Sequence, residues 1–134
     1  MKSTKREFLV TIEGVPGNWK SFSGGDGTSS PTKDWDGGAE RPDLLAGPVE
    51  FSDIETVRTY DPAKDQTWLT DAIAKIGRGR YTVTKQAIDA NYIKVGKPRT
   101  YPDCLLIGVS ESEVDSSSSD AAEVTFTFAT SGPA

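Results

Sequence analysis

The sequence predicts a mainly β domain: a β-sandwich or partly open barrel of about six strands, with one flanking α-helix over residues 61–77. Three observations predict it. Apolar and polar residues alternate through most patterned stretches, most cleanly in 122–130 (AEVTFTFAT), where Val124, Phe126 and Phe128 oppose Thr125 and Thr127. Alternation of period two marks a strand buried on one face. A single stretch, DPAKDQTWLTDAIAKIG, has helical spacing instead. The length, 134 residues without an internal repeat, suits one two-layer core, so the chain reads as a single domain, 1–134, with a long irregular loop at 23–47.

The elements follow in order. Lys5–Glu13 (KREFLVTIE) places Phe8, Val10 and Ile12 on one face of a first strand. Val15-Pro16-Gly17 has turn chemistry, because proline presets φ and glycine accepts a positive φ after it. Trp19–Phe22 is a short second strand. From Ser23 to Gly47 all periodicity stops, yet Trp35 and the pair Leu44-Leu45 are costly to leave in water. Pro48–Tyr60 is a strong strand in which Ile54 falls out of phase with Val49 and Phe51, which predicts a β-bulge at Ser52-Asp53.

The helix starts at Asp61-Pro62, a carboxylate cap followed by a residue whose missing N–H is not needed there. Its buried stripe reads Trp68, Leu69, Ala72, Ile73 and Ile76, with Trp68 deepest and Lys64, Asp65, Thr70, Asp71 and Lys75 facing water. Gly77 ends it, with Arg78 and Arg80 at the negative end of its dipole. Arg80–Ile88 and Thr100–Val109 then form a hairpin, with Tyr81 and Val83 on one face and Thr82, Thr84 and Gln86 on the other. Asp115–Asp120 (DSSSSD) is solvated turn material, and the final SGPA has nothing of its own to order it.

Composition narrows function mainly by exclusion. Net charge is −5 and hydrophobic content 35%, so a phosphate-binding groove, which needs clustered Lys and Arg, is not expected. No histidine is present, which removes the usual general base and the commonest metal ligand. The one cysteine, Cys104, lies in an apolar strand and reads as a small buried hydrophobe. Asp26, Asp34 and Asp36 do not have the spacing of a calcium loop, and the GGDG at 24–27 is followed by no Lys-Ser/Thr of a phosphate loop. The expectation is therefore no enzyme, no cofactor and no metal. No apolar run reaches the ~20 residues of a membrane span. The start, MKSTKREF, lacks a signal-peptide core, which suggests synthesis in the cytoplasm.

Three ordered blocks then carry a family resemblance: FLVTIEGVPGNWKSFSG, LLAGPVEFSDIETVRTYDPAKDQTWLTDAI, and the stretch from Tyr81 to Phe128. Together they resemble a bacteriophage tail tube protein, or major tail protein, a family related to the inner tubes of contractile injection machines. About four-fifths of the chain takes part, and the order of the blocks rather than any one motif is specific. The resemblance implies a structural virion protein of the tail. Its subunits would form homohexameric rings stacked into a hollow tube that passes DNA. The partners it implies are other copies of the chain, a tape measure protein, tail completion proteins and, in contractile machines, a sheath; no membrane is implied. On this reading Trp35, Leu44 and Leu45 make intersubunit contacts, and Glu50, Asp53 and Glu55 line an acidic channel. The competing reading is a monomeric β-sandwich that binds or decorates a virion surface, with Trp19, Trp35 or Tyr92 as its platform.

Overall fold

The computed structural model describes residues 8–35, 37–38, 40–111 and 122–134. The chain forms β1 (Phe8–Ile12), β2 (Val15–Trp19), β3 (Ser21–Ser23), β4 (Gly27–Ser29), β5 (Thr32–Asp34), β6 (Asp43–Leu45) and β7 (Val49–Phe51). There follow β8 (Ile54–Thr59), α1 (Pro62–Ala74), β9 (Arg80–Ala87), β10 (Arg99–Glu111) and β11 (Glu123–Ala129). Seven strands make one sheet in the order β2-β1-β9-β10-β11-β8-β3. The other four make two small ladders, β4 with β7 and β5 with β6.

The strand order forces the sheet to curl. Only Lys20 separates β2 from β3, yet these two strands sit at opposite ends of the seven. A chain cannot cross a flat seven-stranded sheet in one residue, since neighbouring strands lie ~4.8 Å apart. The edges must approach each other, and Lys20 N donates to Val57 O at 2.9 Å where they do. No ladder joins β2 to β8, so the roll stays open along that seam. The result is mainly β with one helix, as the alternation implied.

The roll encloses a single core. Val10 and Ile12 of β1, Val83 of β9, Cys104 and Leu106 of β10, Val124, Phe126 and Phe128 of β11 and Ile54 of β8 all point into it. The alternation of β11 is as clean in space as in sequence: Val124, Phe126 and Phe128 are buried, and the threonines between them are half-exposed. The aromatic rings run as a connected series, Trp68 to Trp19 and Phe126, then Phe126 to Phe128 and Phe128 to Tyr81, with centroids 4.9–6.0 Å apart. Tilted and edge-on rings at such spacing add to the area term.

Helix α1 closes the core and differs from the sequence reading in three ways. Its start holds: Asp61 accepts from Ala63 N at 3.1 Å, with proline at the first helical position. Its end comes earlier, at Ala74, because Gly77 N donates to Leu106 O and Leu106 N donates to Gly79 O, so residues 77–79 already pair with β10. Its buried stripe is rotated: Asp65, Trp68, Leu69 and Ala72 face in, whereas Ile73 and Ile76 are 48% and 41% exposed. Asp65, expected in water, is 1% exposed because Arg58 of β8 waits for it inside, at 3.1 Å. Trp68 is not the deepest side chain; Phe126 and Phe128 are fully covered and Trp68 keeps 9% exposure.

Other expectations shift for local reasons. The first turn is Glu13-Gly14, and Val15-Pro16-Gly17 instead belongs to β2, which pairs irregularly with β1 between Val10 and Ile12. Trp19 and Phe22 fall on two different strands. Residues 5–7, Asp36 and 115–120 lie outside the described residues. Ser52-Asp53 is a break between sheets rather than a bulge within one: β7 pairs with β4, while β8 joins the main sheet. The β9–β10 hairpin is present, with irregularity between Tyr101 and Cys104. Gln86, on the face opposite Val83, is buried at 7% exposure because its amide reaches backbone carbonyls of the following connection. The final residues continue along β10, with Ala134 N donating to Thr100 O at 2.8 Å.

Loss of the cap in Asp61→Ala should cost about 1 kcal/mol of stability. Trp68→Ala should cost ~3–5 kcal/mol through the cavity it leaves. Both are read from denaturant melts, and an unchanged melt of the Trp68 variant would mean that α1 does not close the core. A second expectation concerns Cys104, whose thiol is pushed up chiefly by burial. A group whose folded pKa is raised stabilises the fold below its unfolded pKa, ~8.5, and loses that contribution as pH rises towards the folded value. Cys104→Ser should flatten the decline in stability above that pH, and the native thiol should resist maleimide.

Candidate functional site

Among the described residues nothing gathers as a catalytic centre, and no group of three or more His, Cys, Asp or Glu is placed to hold a metal ion. A shallow basic depression lies where α1 runs into β9, lined by Lys75, Arg78, Gly79, Arg80 and Tyr81. Burial and the carboxylate of Asp71 push the Tyr81 phenol up. Arg78 is spent on Ala74 O at 3.0 Å and Arg80 on Asp103 O at 3.3 Å, so the cations here hold backbone carbonyls. The features that stand out are two projections from the roll.

The first is an arm. The stretch expected to be an irregular loop is a two-stranded ribbon: Gly27↔Phe51, Thr28↔Glu50 and Ser29↔Val49 pair near the body. Thr32↔Leu45, Lys33↔Leu44 and Asp34↔Asp43 pair farther out. Ser30-Pro31 on one strand and Gly47-Pro48 on the other interrupt the ladder between the two halves. Proline supplies no ladder N–H, so it divides such a ribbon without ending it. Ser29 Oγ donates to Gly47 O at 3.1 Å across this joint.

The base of the arm is built by close approach. Gly24 has φ +87°, and a Cβ there would stand 1.8 Å from Asp53 O. Gly25 N donates to Ser52 O, Ser52 N to Asp26 O, and Asp26 N to Ser52 Oγ. The Phe51 ring lies between two glycines: a Cβ on Gly27 would come within 2.9 Å of it and one on Gly132 within 2.6 Å. The glycines thus seat the ring where side chains would collide.

The arm exposes what a monomer would bury. Leu44 is 66% exposed, Val49 61%, Trp35 58% and Leu45 51%. Side chains alternate along a strand, so Leu44 shares a face with its partner Lys33 and with Trp35 two residues on, while Leu45 points to the other face. Of the three acidic positions read as channel lining, Glu50 is on β7 of the arm, Asp53 on the break and Glu55 on β8 beside Ser23 and Thr127. All three are exposed, but they belong to two sheets and form no single row.

The second projection is the β9–β10 connection, a knuckle at residues 88–98. Asp89 Oδ1 accepts from Asn91 N at 2.8 Å and Ile93 N at 3.0 Å. Gln86 Nε2 donates to Val95 O, Ala87 O and Gly96 O at 2.8, 3.0 and 3.2 Å. Held this way, Tyr92 takes a left-handed φ of +61° and presents its ring, with Ile93 exposed beside it. Of the aromatic platform residues expected for a monomeric binding module, Tyr92 and Trp35 are exposed, whereas Trp19 is buried in the core.

Sequence reasoning missed the ribbon, and of the knuckle it read the turn at Asp89-Ala90-Asn91 and the exposed Tyr92 but not what holds them. The ribbon carries apolar residues on both faces and buries neither, so no alternation betrays it; the matched Ser30-Pro31 and Gly47-Pro48 interruptions are its trace. The knuckle is set by one buried glutamine and one aspartate, a pattern with no fixed spacing.

No family model and no characterised protein matches the chain in sequence. Solved structures do match in shape. A chain in the cap of the anti-feeding prophage, a tube-terminating cap, superposes with a TM-score of 0.83 at 16% identity, covering 100% of this chain and 90% of that one. A chain in the sheath–tube complex of an extracellular contractile injection system superposes with a TM-score of 0.79 at 17% identity, over 96% of this chain and 87% of that one. Hcp1 from Flavobacterium johnsoniae matches at 0.52 and 14% identity, over 92% and 89%. The first two of these neighbours are chains of tube-bearing assemblies. The chain shares its fold with chains found in the sheath–tube complex of a contractile injection system and in a tube-terminating cap.

Proposed function

We propose that this chain is the structural subunit of a hollow tube, assembled from homohexameric rings of the chain stacked on one another. The observation that carries the reading is the arm. A lone two-stranded ribbon is marginal in water, and this one leaves Trp35, Leu44, Leu45 and Val49 in solvent. Burying side chains of that kind contributes ~1.5–3 kcal/mol each. Docking on a neighbouring copy would provide that burial. The tube fold supports the same reading, as does its low hydrophobic content of 35%, which suits a subunit that completes its burial between copies.

In the assembled tube Trp35, Leu44 and Leu45 would make intersubunit contacts, and Glu50, Asp53 and Glu55 would face the channel. An acidic wall would let a polyanion such as phage DNA slide, because a basic wall would release its counterions and hold it. The further partners of such a tube are a tape measure protein, tail completion proteins and a contractile sheath, and its place is the virion tail or an equivalent injection machine. Among the described residues no helix is long and apolar enough to cross a membrane.

Negative-stain imaging and sedimentation of the purified chain test the reading: hollow filaments or rings are expected, and a stable 14.4 kDa monomer at all concentrations would instead favour the surface-binding module. Replacing residues 28–50 by a short Gly-Ser linker should leave a folded subunit with its melting transition and no tubes. Stacked rings from the shortened chain would place the contacts elsewhere. For the channel, Glu50→Lys, Asp53→Lys and Glu55→Lys together should leave assembly intact and make the tubes retain short DNA at low salt. Tubes that ignore DNA in both forms would remove these residues from the lining.

A further inference from the structure

The arm needs a receiving surface, and the knuckle has the chemistry of one. Both projections are apolar and exposed in their own chain: Trp35, Leu44 and Leu45 on the arm, Tyr92 and Ile93 on the knuckle. Their charges are opposite. Residues 32–45 carry four acids, Asp34, Asp36, Glu40 and Asp43, against two bases, Lys33 and Arg41. Residues 89–99 carry three bases, Lys94, Lys97 and Arg99, against one acid, Asp89. In a chain of net charge −5 this basic cluster on a projecting turn runs against the overall sign.

The knuckle is also prepared for contact. The Gln86 amide, spread over three carbonyls, fixes the connection, and the backbone at Tyr92 is held at φ +61°. Holding a large side chain in a left-handed conformation costs ~1–3 kcal/mol, and such strain persists where surrounding structure over-determines it. The ordering cost of presenting Tyr92 is therefore met before any partner arrives, which is how preorganisation raises affinity.

We propose that the knuckle of one copy receives the arm of another, with Tyr92 and Ile93 against Leu45, and Lys94 and Lys97 facing Asp34 and Asp43 on the same face of the ribbon. This rests on the tube reading and names the surface on which the arm docks. Each copy offers one arm and one knuckle. Where two copies do not dock reciprocally the contact is heterologous, leaves one of each free, and propagates to a closed ring or an open filament. The apolar pairing supplies affinity, while the charges set register and encounter rate.

Charge reversal tests it by sedimentation velocity on the full chain. Lys94→Glu with Lys97→Glu should raise the apparent dissociation constant of assembly about tenfold or more, with an unchanged melt since both side chains are exposed. Asp34→Lys with Asp43→Lys should do the same, and all four changes in one chain should restore assembly. Tyr92→Ser with Ile93→Ser should weaken assembly without any salt dependence of the defect. If the parent chain assembles and the knuckle reversal assembles equally well, the knuckle is not the receiver and the tube reading stands. Failure of the fourfold variant to recover would likewise overturn the pairing. A parent that never leaves the monomer would remove the tube reading and this inference together.

Discussion

The contact on which the rest of the molecule depends is the ion pair between Arg58 and Asp65. Arg58 leaves β8, crosses the open seam of the roll and donates to Pro16 O on β2. Its guanidinium lies over both indoles, 5.9 Å from the Trp19 ring centre and 5.2 Å from that of Trp68. Asp65, from the first turn of α1, accepts from Arg58 Nη2, from Asp61 N and from Trp68 Nε1. The consecutive elements β8 and α1 and the distant β2 are therefore tied at one point. A buried ion pair is not by itself a large net stabiliser, because desolvation offsets its attraction. What it provides here is uniqueness: an unpaired guanidinium or carboxylate left in this place would cost ~3–5 kcal/mol, so other seatings of the helix on the seam are disfavoured.

That tie explains how an open roll can be rigid. A sheet whose edges do not ladder together has few backbone bonds to hold its curvature, Lys20 N to Val57 O being one. Side chains do the work instead, with Arg58 spanning the seam and Trp19 and Trp68 filling the space beneath it against Phe126. At the opposite end the closure is looser. Lys85 lies over Phe22 at 4.9 Å and Phe8 at 5.9 Å, and Phe8 remains 37% exposed.

A rigid body then gives meaning to two outgrowths that have little core of their own. The arm springs from paired glycine contacts at Gly24 and Phe51, and the knuckle is held by Gln86 and Asp89. In both, hydrogen bonds and steric fit set the direction, while the apolar side chains are left outward. This division separates folding from association. Changes to Trp35, Leu44 or Tyr92 touch no part of the core cluster, and changes to Phe126 or Trp68 touch no exposed projection.

The sequence by itself determined the elements whose period is local. The alternation of Val124, Phe126 and Phe128 and the Asp61-Pro62 helix start were legible because a strand's two faces and a helix's first turn are decided within a few residues. The burial of Cys104 followed from its apolar neighbours. Tertiary structure alone decided what depends on a partner in another element. Asp65 reads as a surface carboxylate until Arg58 is brought beside it, and with it the inward face of α1 turns away from Ile73 and Ile76. Trp19 and Phe22, three residues apart, are sent to opposite ends of a sheet only because the sheet rolls. The arm's residues name no face at all, since both faces meet solvent in one chain; their order comes from cross-strand pairing, which no local period records.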